Sequence, residues 1–341
     1  MFPYSRAVPR THDKFIIPLT LLIALAPAVS GCSLFGERTE ANTLVTGDGG
    51  TDPWCASSDD AWLIDDGADL KGPHFALSIL CHYQGAEIPE DVAARADALA
   101  DLPKAANGVE FLVNQIAHSP IYKAEFEDGE TAAWIQVGDE RTDLDALPAP
   151  GSFLAVAAPE GEDAVLWVED DGRAQGLDLR TGERHDPVAA YYNGVAAESA
   201  SLSGFNYVDF EVTDGTDSWF LTCPTPWAGA TRNAWLDGRG WAEEGQVFMT
   251  VAFNWCHTYT EVAWVLDPET AVTVDGAGPI AWEEAATGTG SVQVAAIFSV
   301  PGDAAEIPIV FTPFGHAESV ETGEPWAFVE DPEPTDWLAR F

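Results

Sequence analysis

The sequence predicts an α+β domain in the N-terminal half, an all-β sandwich in the C-terminal half and an extended acidic tail. Apolar residues recur at helical spacing in residues 73–85 and 89–103, which favours helices in the first half. Apolar and polar residues alternate in residues 247–255, which is the period of a strand with one buried face. Residues 317–341 are rich in Asp, Glu and Pro, a composition typical of extended chain.

The composition excludes two classes of protein. With 56 Asp and Glu against 15 Lys and Arg among 341 residues, the formal net charge is −41. Nucleic acid is therefore not expected as a partner, because its binding depends on basic residues that neutralise phosphates. The chain as a whole is not disordered either, since it is 46% hydrophobic and contains 13 Trp and 17 Phe.

The acidity itself has two interpretations. One is adaptation to high external salt, which would screen the repulsion between like charges. The other is a proteome generally rich in Ala and Asp, in which case the charge carries no functional message.

The first residues have the layout of a secretory signal peptide. Arg6, Arg10 and Lys14 precede an uncharged apolar run, residues 15–26. This run is shorter than the ~20 residues needed to span a bilayer.

Residues 29–32, Val-Ser-Gly-Cys, resemble the lipobox of bacterial lipoproteins. The resemblance implies that residues 1–31 are cleaved off and that Cys32 carries a diacylglyceryl (palmitate-type) group as the new N-terminus. The protein is then expected on the extracytoplasmic face of the cell membrane, with lipid as its first partner. The alternatives are an ordinary signal peptide or a retained membrane helix, each followed by an incidental Cys. Residues 32–53 are expected to form a flexible tether.

Four cysteines remain after the lipobox, at positions 55, 81, 223 and 256. An even number in an oxidising compartment predicts disulfides. Of the three connectivities, Cys55–Cys81 with Cys223–Cys256 is favoured, because each pair closes a local loop.

The N-terminal α+β domain is expected to span residues 54–200. After the two helices the pattern changes to strands, and Asp-Asp-Gly at residues 170–172 predicts a hairpin turn. A Ser- and Ala-rich stretch, residues 196–203, is expected to separate the two domains.

The C-terminal sandwich is expected to span residues 205–316, since the strand alternation recurs there several times. Residues 294–303 and 309–313 resemble the closing hairpin of immunoglobulin-like modules of secreted bacterial lipoproteins. The resemblance implies an immunoglobulin-like sandwich and no particular reaction. The acidic tail, residues 317–341, contains aromatic residues expected either to dock back or to contact a partner, and docking back is the favoured interpretation.

Motifs for catalysis are absent from the sequence. There is no Gly-x-Ser-x-Gly elbow, phosphate loop or dinucleotide-binding glycine pattern, and no cofactor is expected. The pairs Glu243–Glu244 and Glu283–Glu284 could form a glycosidase dyad, but chance pairs are expected in so acidic a chain.

The sequence contains candidate metal ligands, but simpler roles are favoured for them. Several aspartates near glycines could bind calcium, but solvated turns are the favoured interpretation because no twelve-residue calcium loop is present. These aspartates are Asp65, Asp66, Asp69, Asp170 and Asp171. The histidines after the signal segment show no ligand spacing and are expected at surface or capping positions. They are His74, His82, His118, His185, His257 and His316.

The strongest candidates for ligand contact are Trp227, Trp235 and Trp241, in a loop rich in Pro, Gly and Asn. Their rings could stack on a sugar or a protein, or could close one end of the sandwich as a lid. The expected function is therefore that of a membrane-anchored extracytoplasmic lipoprotein of binding or structural type, with an unknown protein or glycan partner. The alternatives are a carbohydrate-binding module that uses these tryptophans, or a hydrolase in which two carboxylates converge in one pocket.

Overall fold

The structure is a computed structural model. Its described residues are 38–56, 61–63, 68–118, 129–193, 199–202, 207–224, 228–256, 258–259, 261–288, 290–313 and 315–341. They are nearly all β, with two four-residue helices, α1 (Glu90–Ala93) and α2 (Asp97–Ala100), and two 3-10 turns, Trp54–Ala56 and Ala189–Tyr191. None of the helices in these ranges is long and apolar enough to cross a membrane. Arg38–Phe341 forms one compact unit.

The N-terminal half contains two antiparallel sheets. Their strands are β1 (Leu44–Asp48), β2 (Trp62–Leu63), β3 (Asp69–Lys71), β4 (Ala76–Gly85), β5 (Val109–Ala117), β6 (Thr131–Val137), β7 (Glu140–Asp143), β8 (Ser152–Pro159), β9 (Ala164–Asp170), β10 (Arg173–Asp178) and β11 (Arg184–His185). The first sheet has the order β1-β8-β5-β4-β2, with β3 also paired to β4, and the second has the order β11-β10-β9-β6-β7.

The two sheets pack face to face around an aliphatic core. Leu77, Leu112 and Leu154 project from the first sheet and meet Leu166 and Leu177 of the second, and all five side chains are fully buried. The N-terminal half is therefore a β-sandwich.

The predicted α+β domain is wrong, and β4 shows why. Residues 73–85 form no helix, although Phe75, Ile79 and Tyr83 recur every four residues. A spacing of four also keeps residues on one face of a regular strand, so this pattern does not separate the two structures. A β-bulge between Ile79 and Cys81 then shifts the strand register, and β4 contributes to a second core on the outer face of its sheet.

The predicted helix at 89–103 is likewise reduced to α1 and α2. Each helix buries one large apolar residue, Val92 or Leu99, against Trp54 and Phe111 on the outer face of the first sheet. The segment covers the outer face of the first sheet. Each helix has to place only one apolar side chain there, and four residues are long enough for that.

Part of the predicted tether belongs to the first sheet, because β1 pairs with β8. Its glycine at position 47 lies against the ring of Phe153. A Cβ at Gly47 would lie 2.9 Å from a ring carbon of Phe153, so close packing requires glycine there.

The C-terminal half contains sixteen strands within the described ranges. They are β12 (Ser199–Ser201), β13 (Tyr207–Thr213), β14 (Ser218–Pro224), β15 (Ala228–Asn233), β16 (Trp235–Leu236), β17 (Gly240–Trp241), β18 (Gln246–Trp255), β19 (Thr258–Tyr259), β20 (Val262–Leu266), β21 (Val272–Val274), β22 (Ala281–Gly288), β23 (Ser291–Pro301), β24 (Glu306–Phe311), β25 (Gly315–Ser319), β26 (Pro325–Phe328) and β27 (Thr335–Arg340). Three sheets have the orders β12-β15-β18-β23-β22, β14-β13-β26-β25-β20-β19 and β21-β24-β27, and β16 pairs with β17 alone.

An aromatic cluster fills the core of this half. Phe253, Trp255, Trp264, Phe311 and Trp337 are all buried, and Phe311 stacks on Trp337 with ring centroids 5.0 Å apart. The alternation predicted for residues 247–255 is that of β18. The sheet orders do not confirm the immunoglobulin-like arrangement.

The predicted extended tail is also wrong. Residues 317–341 complete β25 and form β26 and β27, and β27 pairs along the whole of β24. Trp337 and Ala339 alternate toward the core while Asp336 and Arg340 face outward, so a strand can be acidic and still bury one face. The prolines lie mainly between β26 and β27, where no ladder hydrogen bond is lost.

Both predicted disulfides, Cys55–Cys81 and Cys223–Cys256, are confirmed, with Cα atoms 5.6 Å apart in each pair. Cys256 follows the last residue of β18, so the face alternation of that strand does not constrain its side chain.

Candidate functional site

The hairpin β16–β17 carries two of the predicted contact residues, Trp235 and Trp241, as directly opposed partners. Both indoles reach into the N-terminal half. The Trp235 Nε1–H donates to a carboxylate oxygen of Asp171 at 2.8 Å, and the Trp241 Nε1–H donates to the carbonyl of Asp170 at 3.0 Å. The hairpin therefore ties the two halves together, and Trp235 is only 7% exposed.

The two aspartates lie where β9 turns into β10. Asp171 has a φ of 47° and Gly172 a φ of 77°, and Asp170 pairs with Arg173 across the two-residue turn. This is the geometry of a type I′ turn, so the predicted Asp-Gly hairpin is confirmed. The turn presents Asp171 to Trp235 and turns the Asp170 side chain inward.

The Asp170 carboxylate holds His74. One oxygen lies 2.6 Å from His74 Nδ1, and the other accepts the His74 backbone N–H at 3.0 Å. Asp170 is 0% exposed, and burial raises the pKa of its carboxyl, although the hydrogen bonds from His74 act in the opposite direction. A Cβ at Gly72 would lie 2.6 Å from an Asp170 oxygen, so this close approach requires glycine.

The His74 ring also meets Trp235 edge to face, with ring centroids 4.8 Å apart. Sequence reasoning missed this cluster, because its members lie up to 161 positions apart and none has a distinctive neighbour. A carboxylate on Nδ1 orients an imidazole ring. Catalysis would need a nucleophile or metal beside it, and the described residues contain no group of three or more His, Cys, Asp or Glu placed for a metal ion.

A cavity of about 440 Å³ lies beside this hairpin, between it and residues 187–193. Its apolar wall includes Val188, Ala234 and Ala242, and the volume suits a small ligand. Arg173 also lines the cavity, and its guanidinium carbon lies 5.4 Å from the ring centre of Trp241.

Three exposed carboxylates, Glu243, Glu244 and Asp303, line the same cavity. The predicted pair Glu243–Glu244 thus borders a pocket. The pair Glu283–Glu284 does not form a dyad, because successive residues of β22 point to opposite faces of the sheet.

The other predicted residues have different surroundings. Asp69 forms ion pairs with Lys71, at 3.0 Å, and with Arg184. His82 is fully buried within the N-terminal sandwich, contrary to the surface position expected for it, and its Nδ1 lies 2.8 Å from an Asn114 oxygen. Burial lowers the pKa of His82. The positions that lie outside the described residues are Cys32, Asp65, Asp66, Trp227 and His257.

Comparison of the chain with protein-family models, with curated proteins and with solved structures gives no match.

Proposed function

We propose that this protein is a lipid-anchored lipoprotein of the extracytoplasmic face of the cell membrane, and that it acts by binding. The observation that carries the proposal is the order of features in residues 1–32: a basic segment, a short apolar run, small residues and a cysteine. Two disulfides support it, because they fit a protein that folds in an oxidising compartment.

Binding is favoured over catalysis by the surroundings of two sets of charged groups, the cavity carboxylates and the pair of His74 and Asp170. The carboxylates of the cavity are exposed to solvent. The buried pair of His74 and Asp170 is enclosed by hydrogen bonds and the Trp235 ring. These surroundings suit recognition of polar or cationic groups at the cavity and a structural role for the buried pair.

The anchor is tested by intact mass and membrane fractionation of the natively expressed full chain, beside Cys32→Ser and the control Ser33→Ala. We expect the wild type and Ser33→Ala to begin at Cys32, carry a diacylglyceryl mass and sediment with membranes. Cys32→Ser should carry no lipid. A wild-type chain without lipid would overturn the proposal.

A hydrolase is the second candidate, because Glu243, Glu244 and Asp303 line one cavity. Its test is release of fluorophore from a panel of fluorogenic glycosides, with Glu243→Gln and Glu244→Gln beside the control Glu283→Gln. A hydrolase of this kind should lose about 100-fold in rate in the first two variants alone. Absence of wild-type turnover eliminates it.

The glycan-binding alternative has less support from the hairpin tryptophans, because the indole N–H of each is already hydrogen-bonded within the protein. Trp241 is the more accessible of the two rings. Polysaccharide pull-down with the wild type and Trp241→Ala tests this alternative.

A further inference from the structure

The edge of β13 is only partly covered. On one side β13 pairs with β14 along its whole length, from Tyr207 to Thr213. On the other side it pairs with β26 at Val212 and Thr213 alone, followed by one hydrogen bond from Val329 N–H to the Glu211 carbonyl at 2.9 Å. Beyond that bond no described strand continues along β13.

The orientation of the backbone identifies the open groups. In an antiparallel strand the N–H and C=O of one residue point to the same side, and alternate residues point to opposite sides. Because the Glu211 carbonyl faces β26, the N–H and C=O of Asp209 face the same way, where the neighbouring strand has ended. An exposed edge of this kind is a template for strand addition.

A groove of about 480 Å³ runs beside this edge, between β13 and residues 330–335. Phe220 borders the groove from β14, directly opposite Glu211, and is 70% exposed. An exposed aromatic ring beside an open strand edge provides an apolar contact for an added strand.

The groove is lined by five carboxylates and, among its lining residues, no Lys, Arg or His. The carboxylates are Asp209, Glu211, Glu330, Asp331 and Glu333. None of them forms an ion pair within the described part of the chain. The occupant that this charge favours is positively charged. A second copy of the chain, with a formal charge of −41, would be repelled.

We propose that this groove binds an extended basic segment of another protein, which adds as a strand to the open edge of β13. Backbone groups of the segment pair with Asp209, an apolar side chain covers Phe220, and Lys or Arg side chains meet the carboxylates. The inference rests on the proposed binding role but not on the lipid anchor.

The probe for the test is a fluorescent, capped peptide of alternating Lys and Val, seven residues long, titrated into the full chain in detergent. Affinity is measured by anisotropy at about 50 mM and about 300 mM NaCl. We expect saturable binding that weakens in the higher salt. A peptide N-methylated at alternate backbone nitrogens should bind at least about tenfold more weakly, because it cannot form the strand ladder.

Matched variants locate the site. Phe220→Ala should weaken binding about tenfold, whereas Ile280→Ala, another exposed apolar residue, should not. The double variant Asp331→Asn with Glu333→Gln should show a clearly smaller salt dependence than the wild type, and the double variant Glu321→Gln with Glu324→Gln should keep that of the wild type.

Three results would overturn the proposal. The peptide does not bind at concentrations up to about 1 mM; the N-methylated peptide binds equally well; or the groove and control variants bind alike, which would indicate general attraction to an acidic surface. The mass and fractionation of the Cys32 variants do not depend on this groove, so failure of the docking site and failure of the anchor are distinguishable.

Discussion

Asp170 and Asp171 of the N-terminal half accept hydrogen bonds from the C-terminal half through different atoms. The Asp170 side chain binds His74, its carbonyl accepts from Trp241, and the Asp171 side chain accepts from Trp235. Hydrogen bonds to charged groups contribute about 1.5–3 kcal/mol each, more than those between neutral groups. Of the two hydrogen bonds that cross between the halves, the one to the Asp171 carboxylate is therefore expected to contribute more than the one to the Asp170 carbonyl.

The indole N–H of Trp235 provides the first test at this scale. Trp235→Phe keeps an aromatic ring but removes the hydrogen bond that the buried indole donates to the Asp171 carboxylate, and we expect a loss of about 1–3 kcal/mol in unfolding free energy. The control is Trp282→Phe, whose indole donates to the exposed Glu284 and should cost less than about 1 kcal/mol. Urea unfolding followed by far-ultraviolet circular dichroism measures both. Equal losses would contradict the assigned role.

His82 provides a test of pH dependence. Burial lowers its pKa below the ordinary value of 6.5, so the unfolded chain binds a proton more readily than the folded one. Stability from this group is present above pH 6.5 and is lost as the pH falls from 6.5 toward the lowered pKa. We expect His82→Gln to show a smaller loss of unfolding free energy between about pH 7.5 and pH 5.5 than the wild type.

The control for His82 is His316→Gln, because the His316 side chain is exposed. Its stability should follow the wild-type pH profile. If His82→Gln followed that profile as well, the buried imidazole would not be the source of the acid sensitivity.

At the scale of elements, the positions of β4 and β27 are determined by the cores that their side chains join. The bulge in β4 lets one strand serve the sandwich core and then the outer core beneath α1 and α2. β27 lies at the edge of a three-stranded sheet and closes the aromatic core through Trp337.

Trp337 tests whether β27 is part of the core. Its ring contacts Phe253 and Phe311 and is 2% exposed, so Trp337→Ala should cost about 3–5 kcal/mol. The adjacent Leu338 points to the other face and is half-buried, so Leu338→Ala should cost clearly less. Thermal or urea unfolding of the two variants provides the comparison. A small effect of Trp337→Ala on the unfolding free energy would indicate that β27 is not part of the core.

At the scale of the whole molecule, charge is the dominant feature. Residues 201–341 contain 22 Asp and Glu but only three Arg and no Lys. One of these three, Arg232, is buried, donates to the Ala304 carbonyl at 2.6 Å and stacks on Phe341. It holds the end of the chain in place and contributes little to neutralising the surface.

The salt dependence of stability follows from this surface. Self-repulsion between carboxylates is screened over about 10 Å at 0.1 M salt and about 3 Å at 1 M. If the acidity is an adaptation to salt, the thermal midpoint should rise by on the order of 5 °C between these concentrations of NaCl. Sucrose of equal osmolality is the control for solute exclusion. A flat NaCl curve would favour a compositional origin of the charge.

The local sequence determined the features that depend on neighbours in the chain. Alternation predicted β18, Asp-Asp-Gly predicted the turn before Arg173, and cysteine spacing predicted both disulfides. The lipid anchor at Cys32 stays a prediction from the same kind of local pattern. Each of these signals is complete within a few residues or follows from loop length.

Other features depend on contacts between residues that are far apart in the sequence, and only the tertiary structure decided these. A spacing of four suits a helix or a strand, and only pairing with β3 and β5 made residues 76–85 a strand. Composition favoured an extended tail, and only the exposed edge of β24 and the core around Phe311 made β27. His74, Asp170 and Trp235 meet only after both halves of the chain have folded, because nothing in a local pattern specifies which distant side chains a buried carboxylate will face.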